Sequence, residues 1–119
     1  GGLASAGGAA VSPWEVWDYE FAWGTHPAVI VSNPVRVERK PEVVVLACRT
    51  LRPGTERDPE ANEALLDEAD GLDWKTLVRC DLLWTVPKAK LTRRRGEVTP
   101  ARRKDIARKI VQGLAVAGL

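Results

Sequence analysis

Apolar and polar positions alternate with a period of two along several short stretches of this chain, and only near the C-terminus does the period lengthen to that of a helix. From Trp14 to Phe21, the side chains of Trp17, Tyr19 and Phe21 share one side of an extended chain and those of Trp14, Val16 and Asp18 the other, which predicts a first strand. Ala22 to His26 reads as a short connection with Gly24 available for a turn. Pro27-Ala-Val-Ile-Val-Ser-Asn33 predicts a second strand, opened by proline and closed by Asn33-Pro34. After a charged turn over Glu38 to Pro41, Glu42 to Thr50 predicts a third strand. Its unbroken Val43-Val44-Val45-Leu46-Ala47-Cys48 run calls for burial on both faces.

Leu51 to Asn62 contains Pro53-Gly54 and Asp58-Pro59 without an apolar period, the pattern of a mobile surface loop. Glu63 to Ala69 fits a short helix or a strand. Gly71 to Trp74 turns the chain into a strand from Lys75 to Leu83, where Val78, Cys80 and Leu82 are expected to face the core and Arg79 and Asp81 to share the opposite face. A further extended segment, Trp84-Thr85-Val86, ends at Pro87. Lys88 to Leu91 suits one helical turn, and Thr92 to Val98 carries Arg93-Arg94-Arg95, a solvated loop or a track for a phosphate backbone. A helix then follows, with Thr99 as side-chain cap, Pro100 in the first position and Gly118 as the stop. Ile106, Ile110 and Leu114, joined by Ala107 and Val111, form its apolar stripe, and Arg102, Arg103, Lys104, Arg108 and Lys109 line the other side. Many short strands and one terminal helix predict a mainly β (α+β) fold, a small, partly closed barrel with the helix packed against it.

At 119 residues the chain suits one domain. Residues 1–12 are Gly-, Ala- and Ser-rich, without positive charge, and are expected to be a disordered tail or an expression remnant ahead of a domain over 13–119. No apolar run approaches the ~20 residues of a membrane helix. The net charge of +2 hides an uneven distribution: Glu56 to Asp73 is strongly acidic and Lys88 to Lys109 strongly basic. That split suits two solvated faces of opposite sign, or a cationic surface for nucleic acid or an acidic protein segment. Cys48 and Cys80, in apolar runs, read as reduced, buried residues of a cytoplasmic protein. With a single His, the chain offers no evident metal set, so no metal or cofactor is expected. Arg79 and Asp81, side by side on a strand, suit acid–base chemistry on a phosphate or an ordinary ion pair. The five tryptophans (Trp14, Trp17, Trp23, Trp74 and Trp84) are expected mostly in the core or a dimer interface, with Trp23 a candidate for stacking on a base.

Taken in order, Glu15-Val16-Trp17, His26-Pro-Ala-Val-Ile-Val-Ser-Asn33, Val43 to Thr50, Val78-Arg79-Cys80-Asp81, Trp84-Thr85-Val86 and the Thr99-Pro100 helix resemble the MazF/PemK (Kid-like) toxins of type II toxin–antitoxin systems. The resemblance runs from Pro13 to Leu119. It implies an SH3-like barrel of the CcdB/MazF/PemK type, a homodimer, metal-independent cleavage of single-stranded RNA, and a small acidic antitoxin that occupies the RNA groove. By the same resemblance Arg79 and Asp81 are the acid and base, and Thr50 is a third active-site residue. An arginine usual before Pro-Ala-Val is here His26, which joins the catalytic candidates as a group that titrates near neutrality. The first loop is shorter than usual, and a usual Arg-Thr is here Trp84-Thr85. Trp23, Thr25, Arg49, Thr85, Arg93 and Arg94 are the candidates for RNA contact. A catalytically degenerate RNA- or protein-binding module, or a gyrase-directed toxin on the same fold, are the alternatives; Val-Arg-Cys-Asp argues against the last.

Overall fold

The computed structural model describes residues 10–114 of the chain, so Gly118 and most of the expected N-terminal tail lie outside the described residues, and the C-terminal helix ends at Gly113, short of the expected stop. β1 (Glu15–Phe21) and β2 (Gly24–Ile30) form a hairpin in which Phe21 faces Gly24. The expected connection over Ala22 to His26 therefore shrinks to Ala22-Trp23. Gly24, at φ +128°, makes so abrupt a reversal possible. The consequence is functional, because His26 becomes a strand residue opposite Tyr19 rather than part of a loop.

Asn33-Pro34 ends the apolar run, but it also starts a helix that the sequence reading missed, α1 (Pro34–Arg39). The Asn33 side chain accepts the Arg36 N–H at 2.9 Å and Pro34 takes the first position. Glu38 thus belongs to a helix, not to a turn. β3 (Glu42–Thr50) has the expected bounds and is buried on both faces. The ambiguous segment resolves as β4 (Glu63–Leu66) followed by a 3-10 turn, Glu68–Asp70.

The two extended segments expected after Trp74 are one strand, β5 (Thr76–Pro87). Its pairing with β3 slips: Cys48 faces Val78, yet Leu46 faces Leu83. The additional β5 residues reverse the inward–outward alternation. Val78 and Cys80 point into the core as expected, Leu83 packs beside them, and Leu82 is left 45% exposed, contrary to expectation. After a 3-10 turn at Lys88–Lys90, the basic cluster forms a strand, β6 (Arg93–Glu97), not a loop. It pairs with β1 through a bulge: Arg94 faces Trp17 and Gly96 faces Val16, which leaves Arg95 without an opposite number.

The six antiparallel strands form one curled sheet in the order β4-β5-β3-β2-β1-β6. The segment after β4 returns to the other end of the sheet and rests on β6. A Cβ on Gly96 would lie 2.0 Å from the Asp70 carbonyl oxygen, so the contact needs glycine. The buried Asp70 carboxylate fastens this seam, accepting the N–H groups of Asp67 at 3.0 Å and Thr99 at 2.9 Å and a bond from Arg102. Thr99 stands at the cap of α2 (Pro100–Gly113) but makes no side-chain capping bond; the Asp70 carboxylate meets its backbone instead. α2 packs on β4 and β5, inserting Ile106 into the concave core with Ile110 beside it. Ala107, Val111 and Leu114 stay exposed, so the buried stripe is narrower than the sequence suggested.

Both sheet faces carry a core. Val16, Val29, Leu46, Cys48, Val78 and Cys80 fill the concave side, while Trp17, Phe21, Ile30, Val43 and Val45 meet Val37 of α1 on the other. Both cysteines are free and buried, and burial pushes the Cys80 thiol up to about 11 and that of Cys48 up further.

Candidate active site

Where the β2–β3 ladder stops, with β2 still paired to β1 and β3 still paired to β5, the two strands carry the side chains with chemistry. Their ladder ends with Ala28 opposite Ala47, and beyond it Thr25 and His26 on β2 and Arg49 and Thr50 on β3 line one cleft. His26 and Arg49 form a ridge between two clefts. On one side lies a cleft of ≈ 620 Å³ lined by Thr25, His26, Arg49, Thr50, Arg52, Trp74 and Arg95. On the other lies a cleft of ≈ 800 Å³ where Trp23, His26, Arg49, Arg79 and Trp84 share the lining with Glu60 and the paired Arg57 and Glu63. Among the described residues, His26 and Arg49 alone line both.

Of the candidates drawn from the sequence, Thr50, Thr25, His26 and Arg49 meet in the first cleft, and Arg79 and Trp23 join His26 and Arg49 in the second. Asp81, Thr85, Arg93 and Arg94 line neither. Asp81 does share an outward face with Arg79, Oδ1 lying 3.3 Å from its Nε. The hydrogen bond from Arg79 holds the Asp81 carboxyl below the usual carboxylate range. The end of α2 rests against it, since a Cβ on Gly113 would lie 2.9 Å from the Asp81 Cα. Thr85 is exposed opposite Val44. Arg93 is exposed opposite Asp18, and Arg94 is held by Glu15 at 2.8 Å and Glu97 at 3.2 Å.

Sequence reasoning missed Arg52, Arg57, Trp74, Trp84 and Arg95 as cleft residues. Arg95 reaches the first cleft because the bulge frees it from the β6 ladder, and it pairs there with Asp18 at 3.1 Å and Asp73 at 3.4 Å. Arg57 holds Glu63 through two bonds of 2.8 and 3.0 Å, which tie the long irregular loop to β4. No local pattern announces such positions; they depend on register and loop path.

The acidic and basic segments meet at one seam: Arg102 bonds Asp67 at 2.7 Å as well as Asp70, and Arg95 reaches Asp73 at 3.4 Å, so part of their charge cancels in place. Of the arginines that line the clefts, Arg49 and Arg52 belong to no ion pair among the described residues, a condition they share with Arg36, Arg39 and Arg93 elsewhere on the surface. An exposed, unneutralised guanidinium beside an imidazole and a hydroxyl is suited to bind a phosphodiester and move a proton at it. Among the described residues, no three His, Cys, Asp or Glu side chains gather as a metal set. No described helix is long and apolar enough to cross a membrane.

The model of a family described as PemK-like, MazF-like toxins of type II toxin–antitoxin systems matches residues 15–114. Among solved structures, an endoribonuclease in complex with its cognate antitoxin from a mycobacterial species is similar at 27% identity and a TM-score of 0.75, over 88% of this chain and 95% of that one. The Mycobacterium tuberculosis toxin MazF-mt6 is similar at 22% identity and a TM-score of 0.70, over 83% and 94%. A Deinococcus radiodurans MazE-MazF structure shares the fold at 14% identity and a TM-score of 0.65, over 92% and 99%. No protein of curated function matches significantly.

Proposed function

The chain belongs to the PemK-like, MazF-like toxin family of type II toxin–antitoxin systems, and from that premise we propose that it is a metal-independent endoribonuclease cleaving single-stranded RNA at the His26–Arg49 ridge. The observation that carries this reading is the ridge itself: one imidazole and one unpaired guanidinium shared by two clefts, with Thr50 in one and Arg79 in the other. RNA supplies its own nucleophile, so the protein needs only to take the 2′-OH proton and stabilise the charge that develops on phosphorus. His26 takes that proton. The 2′-oxygen bonds to phosphorus, the bond to the 5′-oxygen breaks, and water in the open cleft protonates the leaving group. Arg49 and Arg79 face the phosphorane charge, and the Thr50 hydroxyl donates to a non-bridging oxygen. Asp81 keeps Arg79 in place; a carboxylate already committed to a guanidinium is a weak base.

Incubation of a long RNA with the protein in excess EDTA tests the class. The expected result is discrete new ends bearing 2′,3′-cyclic phosphate. EDTA-sensitive cleavage, or RNA bound but never shortened, overturns it. His26→Gln is expected to lose about 10²–10⁴-fold in rate, whereas Asp81→Asn, which leaves the imidazole in place, loses far less. The reverse pattern assigns the proton to Asp81. In this reading the protein acts in the cytoplasm as a homodimer, and the acidic segment of a small antitoxin fills the same clefts and displaces RNA.

A further inference from the structure

Of the five tryptophans, two are left in water: Trp23 is 53% exposed and Trp74 45% exposed, while Trp17 is buried. Leaving so much aromatic surface in water forgoes its burial energy, so two such residues bordering functional clefts ask for an occupant. They border different clefts. Trp74 lines the one that contains Thr50, and Trp23 the one that contains Arg79. The ridge lies between, because His26 and Arg49 are the residues common to both.

The Trp23 ring is positioned from behind, and at Trp74 it is the backbone that is held. Trp23 lies on Phe21, with centroids 4.7 Å apart and planes 16° apart, and tilts against Trp84 at 5.2 Å. The Trp74 carbonyl accepts the Thr76 hydroxyl at 3.0 Å, fixing the backbone where the chain enters β5. Each cleft pairs its tryptophan with a guanidinium, Arg52 in the first and Arg79 in the second. Aromatic rings alternating with cations along a groove are the means by which proteins hold single-stranded nucleic acid.

We propose that Trp74 and Trp23 are two base-stacking platforms on opposite sides of the scissile phosphate, so that the RNA strand crosses the ridge with one unstacked base held in each cleft. The proposal rests on the endoribonuclease reading and adds a prediction of its own: the two platforms act on different nucleotides. Stacking tolerates any base, so the tryptophans set affinity and strand placement, and other cleft groups select sequence.

The test uses an RNA carrying the mapped wild-type cut, with single abasic substitutions walked along both sides of it. Wild-type kcat/KM is expected to fall about tenfold when the stacked base is removed on either side. Trp74→Ala is expected to lose sensitivity to the abasic site on one side only, Trp23→Ala on the other side only, and the Trp→Phe variants to retain both. Cleavage that proceeds with unchanged abasic sensitivity in both alanine variants overturns the platforms and leaves the enzyme reading standing. Absence of any cleavage by the wild type removes both. A change in tryptophan emission on diluting the RNA-free protein, lost in Trp23→Ala or Trp74→Ala, assigns that ring to contact with a second copy and overturns its role as a platform.

Discussion

Two groups of arginines in this chain face opposite circumstances. Around the seam between the 3-10 turn, β6 and α2, Arg102 and Arg103 each have a carboxylate within bonding distance, and Asp70 is buried among its donors. On the ridge, Arg49 has none among the described residues. A guanidinium neutralised within the seam fastens structure. An unneutralised one leaves its charge for something outside the chain, and cationic clefts gather polyanions by that means. The difference comes from placement, because the same residue type serves at both ends.

The seam breaks most readily. Asp70→Ala leaves Arg102 and the Thr99 N–H facing a vacated site, and is expected to cost about 3–5 kcal/mol in denaturant unfolding. RNA cleavage per folded molecule should be unchanged. A large rate loss in the folded fraction of that variant would erase the distinction between seam and ridge.

Gly96→Ala attacks the same seam sterically, driving a methyl group into the Asp70 carbonyl. Overpacking of this kind costs about 1–3 kcal/mol. A melting midpoint equal to that of the wild type would mean that the 3-10 turn is not seated on β6 as described.

Acid sharpens the comparison more gently. Hydrogen bonds from Arg102, Arg57 and Arg79 hold the carboxyls of Asp67, Glu63 and Asp81 below their usual range. A carboxyl with a lowered folded pKa contributes stability that is complete above its unfolded value, about 4, and is lost as pH falls through the folded value. Thermal midpoints are therefore expected to be level from neutrality to about pH 5 and to drop below about pH 4. Arg102→Gln should flatten part of that drop, whereas Arg49→Gln, which removes no pair, should leave it intact.

The fold was legible where pattern is local and strong. β3 could be bounded from its unbroken apolar run, and the start of α2 from Thr99-Pro100. α1 was hidden because Asn-Pro suits the end of a strand as well as the start of a helix. Leu82 was misplaced because alternation assumes an unbroken ladder, and the β3–β5 register slips just there. In the candidate site, the resemblance led to His26, Thr50 and Arg79, which do line the clefts. Arg95 was legible only as one of a basic cluster and Trp74 only as a core or interface ring, since a turn and a bulge bring them to the first cleft and neither leaves a periodic trace.

The most direct measurement compares single-turnover cleavage of one RNA, in excess EDTA, by two variants matched in charge: Arg49→Gln on the ridge and Arg94→Gln, whose guanidinium is held by Glu15 and Glu97. The ridge variant is expected to lose about 10²–10³-fold in rate, with little change in melting temperature, and the Arg94 variant to stay within a few-fold of the wild type. Equal losses in both would mean that general positive charge, and not the His26–Arg49 ridge, acts on the RNA.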